Sequence, residues 1–266
     1  MVLGPKAILG FPPPSGPGPY VPLTYSSQYN ASNRINFGQF AEGEIQPTQA
    51  KTVGVWMKRV VLGAPSGSQM LVTRYDTTAG LAGAGWRFFY NAAQRLAFQM
   101  QDAPGANFIA DITTGSVATD LLWHLAILTK STLSSELGLN LYFDGVAVPH
   151  SPSKGGTLPG SMSYAGIDLV TAATSDGADI ADDTLLCHQF LIDKELTAVE
   201  VAALYSATKP LDLSAIYSPA EIAHWCTLGD GCALGAAGCP DLSAFVNPGT
   251  AGGGMTLPDL QVPDVP

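Results

Sequence analysis

The chain holds 266 residues, 46% of them hydrophobic and 13% charged, with 29 glycines and 20 prolines. That apolar content excludes a disordered chain, and no run approaches the ~18 apolar residues of a membrane span. The net charge of −10 is uneven: residues 1–130 carry nine Lys/Arg against six Asp/Glu, residues 131–209 three against ten, and residues 210–266 none against six. No basic stripe exists to neutralise phosphates, so nucleic acid is excluded as a partner. The acidity serves solubility, or lets a basic face dock on an acidic face of a sister copy.

Residues 1–24 contain seven prolines, which predicts an extended, polyproline-like arm over 1–23 without a core of its own. It is either a loose terminus or an arm laid on a neighbouring subunit. Its single Lys6 and broken apolar run make a poor signal peptide, so synthesis in the cytosol is expected.

From residue 24 the pattern is strand after strand. Arg34–Gly38, Thr52–Arg59, Met70–Tyr75, Trp86–Tyr90, Arg95–Met100, Phe108–Ile112, Leu122–Lys130, Leu139–Phe143 and Val146–Val148 read as strands, and so do the later runs Ser163–Val170 and Thr184–Ile192. Asn91–Gln94 reads as a hairpin. So does Asp144-Gly145, a dipeptide that tolerates the positive φ angles of a tight primed turn. One helix is predicted, with Thr197 as N-cap, Glu200 closing a capping box, and Val201, Leu204 and Tyr205 as its apolar face. Many short strands with one small helix predict an all-β sandwich or barrel over 24–209. Residues 210–266 read as an irregular Gly/Pro/Cys-containing appendage with one possible short helix in SPAEIAHW.

Cys187 lies in an apolar strand pattern and reads as core. For Cys226, Cys232 and Cys239 three states stay open: a zinc site completed by His224, a disulfide such as Cys232–Cys239, or free thiols.

The order WHLAILTK (Trp123–Lys130), GLNLYFDGVAV (Gly138–Val148) and FLIDKELTAVEVAALY (Phe190–Tyr205) resembles the concanavalin A-like, laminin G-like jelly-roll family. The resemblance covers roughly residues 24–206, with SSQYNASNRINFG and TVGVWMKR as its first core strands. It implies an antiparallel sandwich in which Trp123, Leu141 and Phe143 point inward and the Asp144 hairpin is scaffold, with Asp144 as a calcium ligand the lesser reading.

The chemistry of the family's glycosidases does not carry over. Glu42-Gly-Glu44 falls in a loop-like segment, Asp179-Ile-Ala-Asp182-Asp183 lacks aromatic surroundings, and no GxSxG elbow exists. No catalytic, cofactor-binding or metal residue is assigned and no enzyme is expected. Calcium has a local candidate in Ser175–Asp183, with Asp176, Asp179, Asp182 and Asp183, against a plain solvated acidic loop. The place where the family commonly carries an acidic residue holds Cys187-His188. Tyr75, Trp86 and Tyr90 could stack on sugars but read more readily as core. Laminin G-like domains also occur in virion proteins of tailed bacteriophages. There the domain is succeeded by a segment that HWCTLGDG (His224–Gly231) and DLSAFVNPGTAGGGMT (Asp241–Thr256) resemble. The reading is therefore a non-enzymatic, homo-oligomeric virion surface protein. It would decorate a capsid and contact other virion proteins and sister copies. The alternative is a glycan-binding adhesion module.

Overall fold

The computed structural model describes residues 23, 26–29, 33–78, 84–102, 107–174, 184–205, 209–233, 238–252, 255–256, 262–263 and 265–266. The Pro-rich arm, save Leu23, and the acidic run Ser175–Asp183 lie outside them.

In chain order the strands are β1 (Ser27–Tyr29), β2 (Arg34–Gly38), β3 (Lys51–Arg59), β4 (Gln69–Asp76), β5 (Ala84–Tyr90), β6 (Leu96–Gln101), β7 (Phe108–Ile112), β8 (Trp123–Lys130), β9 (Leu139–Phe143), β10 (Val146–Ala147), β11 (Ser153–Gly155), β12 (Leu169–Thr171) and β13 (Thr184–Ile192). Helix α1 (Ala198–Tyr205), β14 (Ile222–Cys226) and β15 (Thr250–Gly252) complete the chain. All pairings are antiparallel and build two sheets. One runs β1-β13-β3-β8-β9-β10 with β14 also on β13; the other runs β11-β7-β6-β5-β4-β12-β2-β15.

The alternation of the sequence decides what fills the space between the sheets. Trp86, Phe88 and Tyr90 of β5 and Leu96, Phe98 and Met100 of β6 face Val53, Val55 and Met57 of β3 and Leu139 and Leu141 of β9. A second apolar cluster covers the opposite face of the β3–β8–β13 sheet. There Trp56, Leu125, Ile127, Phe190 and Ile192 pack under Val201 and Leu204 of α1 and under Leu211, Leu213, Tyr217 and Trp225. β3 and β13 are thus buried on both faces. Gly54 is required by this second layer, since a Cβ there would sit 2.1 Å from the Phe190 ring.

Asp144 and Gly145 have φ of 53° and 76°, both positive as a primed turn demands. The Thr197–Glu200 capping box also forms: Glu200 Oε2 accepts from Thr197 N at 2.7 Å, and Thr197 Oγ1 accepts from Glu200 N at 3.3 Å.

Four expectations need correction. Trp123 alternates with Leu125 and Ile127 and packs against the second cluster rather than inward, whereas Leu141 is core and Phe143 packs against the core half-buried. Ser163–Val170 is not one strand. Gly166 (φ 80°) and a turn closed by Ile167 N to Tyr164 O break it, and only Leu169–Thr171 pairs. SPAEIAHW forms a single Ser218–Glu221 turn and then strand β14, because the bulged second half of β13 offers an unpaired edge. Residues 210–266 therefore supply a strand to each sheet, β14 beside β13 and β15 beside β2.

Candidate binding cleft

Between β2 and β3 the chain runs through one 3₁₀ turn, Ala41–Gly43, with little other regular structure. A segment of this kind must find partners for its carbonyls, and buried side chains supply them. Arg74 Nη1 donates to Phe40 O, Lys51 Nζ to Glu42 O (2.7 Å), Trp86 Nε1 to Gly43 O (3.3 Å) and the Tyr164 hydroxyl to Ile45 O. Lys130 Nζ donates to Pro47 O (2.6 Å) and Gln49 O (3.1 Å), and also to Ser131 O and Leu133 O. Lys51 and Lys130 have no exposed surface. Lys51 is further paired with Asp193. Lys130 donates to these carbonyls instead, and burial pulls its ammonium down to about 8.

This pinned segment and the 161–165 turn wall a cleft of about 660 Å³, lined by Gln39, Phe40, Ala41, Glu44, Gln46, Arg74 and Ser161–Ala165. Its polar groups are locked to one another. Gln46 clamps the far wall by donating to Met162 O (3.1 Å) and accepting from Met162 N (2.8 Å), while its Nε2 also reaches Glu44 Oε2 at 2.9 Å. The other Glu44 oxygen lies 3.5 Å from Arg74 Nη2. Arg74 is buried, its guanidinium 5.1 Å over the Tyr164 ring, and its Nε has no hydrogen-bond partner among the described residues. Burial lowers the Arg74 pKa, opposed by the Glu44, Tyr164 and Asp168 charges. Tyr164 is raised, chiefly by burial. Half-buried Phe40 lines one side with its ring packed against the core, 5.9 Å from buried His224, and Gln39, Ser161, Ser163 and Ala165 form an exposed rim.

Of the residues singled out from the sequence, Glu44 lies in this cleft. Trp86 and Tyr90 are fully buried core, and Tyr75 is covered by Arg87, whose guanidinium sits 4.7 Å over its ring. Asp144 is occupied: one oxygen accepts from Leu125 N at 3.0 Å, the other contacts His124 Nδ1 at 2.7 Å. Cys187 is a buried thiol in the second cluster, and neighbouring His188, pushed down to about 4 by burial, contacts Leu211 O through Nε2 at 2.9 Å. Cys232 and Cys239 form a disulfide, which removes two of the four ligands the zinc alternative needs. His224 faces Asp241 at 3.2 Å instead, and burial pushes the Cys226 thiol up to about 12. Among the described residues no group of three or more His, Cys, Asp or Glu is placed to hold a metal, and no helix is long and apolar enough to cross a membrane.

Sequence reasoning missed Gln39, Phe40, Gln46, Arg74 and Tyr164. Arg74 carried one available signal, a cation near the end of the largely apolar run Met70–Tyr75.

The family model described as "Concanavalin A-like lectin/glucanases superfamily" matches residues 24–184. No curated protein matches. Among solved structures, the Ruminococcus gnavus IT-sialidase CBM40 is similar at 10% identity and a TM-score of 0.46, over 68% of this chain and 96% of that one. The binding domain of Paraclostridial Mosquitocidal Protein 1 is similar at 15% identity and a TM-score of 0.46, over 66% of this chain and 43% of that one. The botulinum neurotoxin serotype G binding domain is similar at 13% identity and a TM-score of 0.44, over 64% and 39%. The chain thus spans less than half the length of either toxin domain.

Proposed function

We propose that this chain, which belongs to the concanavalin A-like lectin/glucanases superfamily, is a non-enzymatic module that binds a carbohydrate in the cleft beside Phe40. The observation that carries this reading is the locked set Glu44, Gln46 and Arg74 next to an aromatic ring. A carboxylate accepts from adjacent hydroxyls and an amide both donates and accepts, while the ring covers the C–H face of a sugar. Because the polar groups are already held by one another and by the pinned backbone, little ordering entropy remains to be lost on binding. A non-enzymatic role is supported by the carboxylate inventory. Glu44 is the one carboxylate among the described residues lining the cleft, and both its oxygens are engaged, whereas glycoside hydrolysis uses two flanking carboxylates. The test is a glycan array, with calorimetry on any hit. Saturable binding is expected, at least about tenfold weaker in Glu44→Ala, the worth of a hydrogen bond to a charged group. An array without a hit overturns the reading. Trp86→Ala is not a usable control, since Trp86 is core.

A second reading is a surface component of a phage particle. It is favoured by the likeness of the His224–Thr256 segment to the region C-terminal to this domain in phage structural proteins. Parts of that segment are woven into both sheets. The reading expects a closed trimer or larger assembly in light scattering that persists on dilution. A strict monomer at every concentration counts against it.

A further inference from the structure

A second cleft, of about 410 Å³, adjoins the first where β2 passes into the 39–46 segment and is lined by Arg34, Asn36, Phe37, Gly38, Asp168, Pro248, Thr250 and Ala251. Its chemistry repeats. An amide donates to a carboxylate, Asn36 Nδ2 to Asp168 Oδ2 at 2.8 Å, as Gln46 donates to Glu44 at 2.9 Å. Each cleft also has one arginine, Arg34 here and Arg74 there, whereas Phe37 is buried core and only Phe40 is half-buried. Only a short span separates them, Gly38–Gln39 on one wall and Gly166–Ile167 on the other, joined by Gly166 N donating to Gln39 Oε1 at 3.1 Å. The Arg74 guanidinium of the first cleft also feels the Asp168 charge of the second, so the two sets lie within electrostatic reach. Asn36 is fixed as firmly as Gln46, because its carbonyl oxygen accepts from Gly38 N at 2.7 Å. β15 completes the second cleft by pairing Thr250 opposite Asn36.

Two copies of one hydrogen-bonding set side by side suit a ligand that itself repeats. Each cleft is lined by one arginine and one carboxylate, so neither lining carries a net charge that would select a charged ligand. We infer that the two clefts form a single groove that takes a neutral oligosaccharide across at least two sugar units. This rests on the carbohydrate reading above and goes beyond it in naming ligand length and charge.

The probes are ladders of one to six units in the glucose, galactose, mannose and N-acetylglucosamine series, titrated calorimetrically into the full chain. In the series that binds, affinity should rise about tenfold or more from one unit to three and then level off. Asn36→Ala should lower trisaccharide affinity about tenfold, towards that of the single sugar. Thr250→Trp, which fills the second cleft from an exposed position, should do the same should Asn36→Ala fail to fold. Affinity independent of length, or trisaccharide binding unaffected in both variants, overturns the groove while leaving the single-cleft reading in place. Binding confined to acidic sugars overturns the neutral assignment. Binding to no ladder and to nothing on the array overturns the carbohydrate reading itself.

Discussion

At the scale of single residues, the least expected behaviour is that of His124. Its Nδ1 lies 2.7 Å from Asp144 and its Nε2 2.8 Å from Asp120, with the ring stacked on Phe143 at 4.7 Å. An imidazole between two carboxylates donates to both only when doubly protonated. Burial pulls its pKa down, but the hydrogen bonds to Asp144 and Asp120 outweigh burial and leave it raised. Asp120 is lowered, first by its bond to His124. The raised His124 pKa contributes stability that is full below its unfolded value of about 6.5 and is lost as pH rises through the folded value. The lowered Asp120 pKa contributes stability that is full above about 3.9 and is lost as pH falls through its folded value. The clamp is therefore strongest between roughly pH 4 and 6.5. Asp144→Asn keeps a residue that tolerates positive φ and an acceptor for Leu125 N, yet removes one charge. It should cost on the order of 1 kcal/mol at pH 5.5 and less at pH 8.5, with the His124 ring titrating closer to 6.5. Urea unfolding at both pH values and an NMR titration of the ring protons check this; an unshifted His124 would show that Asp144 is a passive neighbour.

At the scale of elements, the 40–49 segment shows why an irregular stretch can be as rigid as a strand. Its backbone is held by Arg74, Lys51, Trp86, Tyr164 and Lys130, which come from β4, β3, β5, the 161–165 turn and β8. Lys130→Met keeps the length of the side chain and removes the donor shared by four carbonyls. Leaving those groups buried without a partner should cost roughly 2–4 kcal/mol. The same change should weaken sugar binding, because the floor carrying Glu44 and Gln46 loses its anchor. Chemical denaturation and calorimetry on the same sample test both effects. Full stability with unchanged binding would mean that other donors replace Lys130. The local capping signals behaved differently at two places. At Thr197 the box opens a helix whose apolar face meets the second cluster. At Ser218 a similar Ser-x-x-Glu pattern forms, yet it leads into a strand because β13 offers an open edge.

For the whole molecule, most of the sandwich was legible because it rests on short-range patterns. Period-two alternation located β3 through β9 and β13 within a residue or two, and Asp144-Gly145 located the tightest hairpin. The order of landmarks from Trp123 to Tyr205 pointed to the superfamily. The two-sided burial of the β3–β8–β13 sheet was not legible, so Trp123 was expected on the wrong face. Little of the candidate groove could be read, since Asn36, Gln46, Arg74 and Asp168 lie far apart along the chain and each alone resembles an ordinary polar residue near a strand end. The sequence by itself determined where strands run, which side chains alternate into a core and where the chain turns, because these depend on neighbours a few residues away. Only the tertiary structure decided that residues 222–226 become a strand, that Cys232 pairs with Cys239, and that Asn36 meets Asp168 as Gln46 meets Glu44. Those outcomes depend on which backbone edges and buried polar groups remain unsatisfied once the sheets have formed, and that is a property of the assembled sandwich.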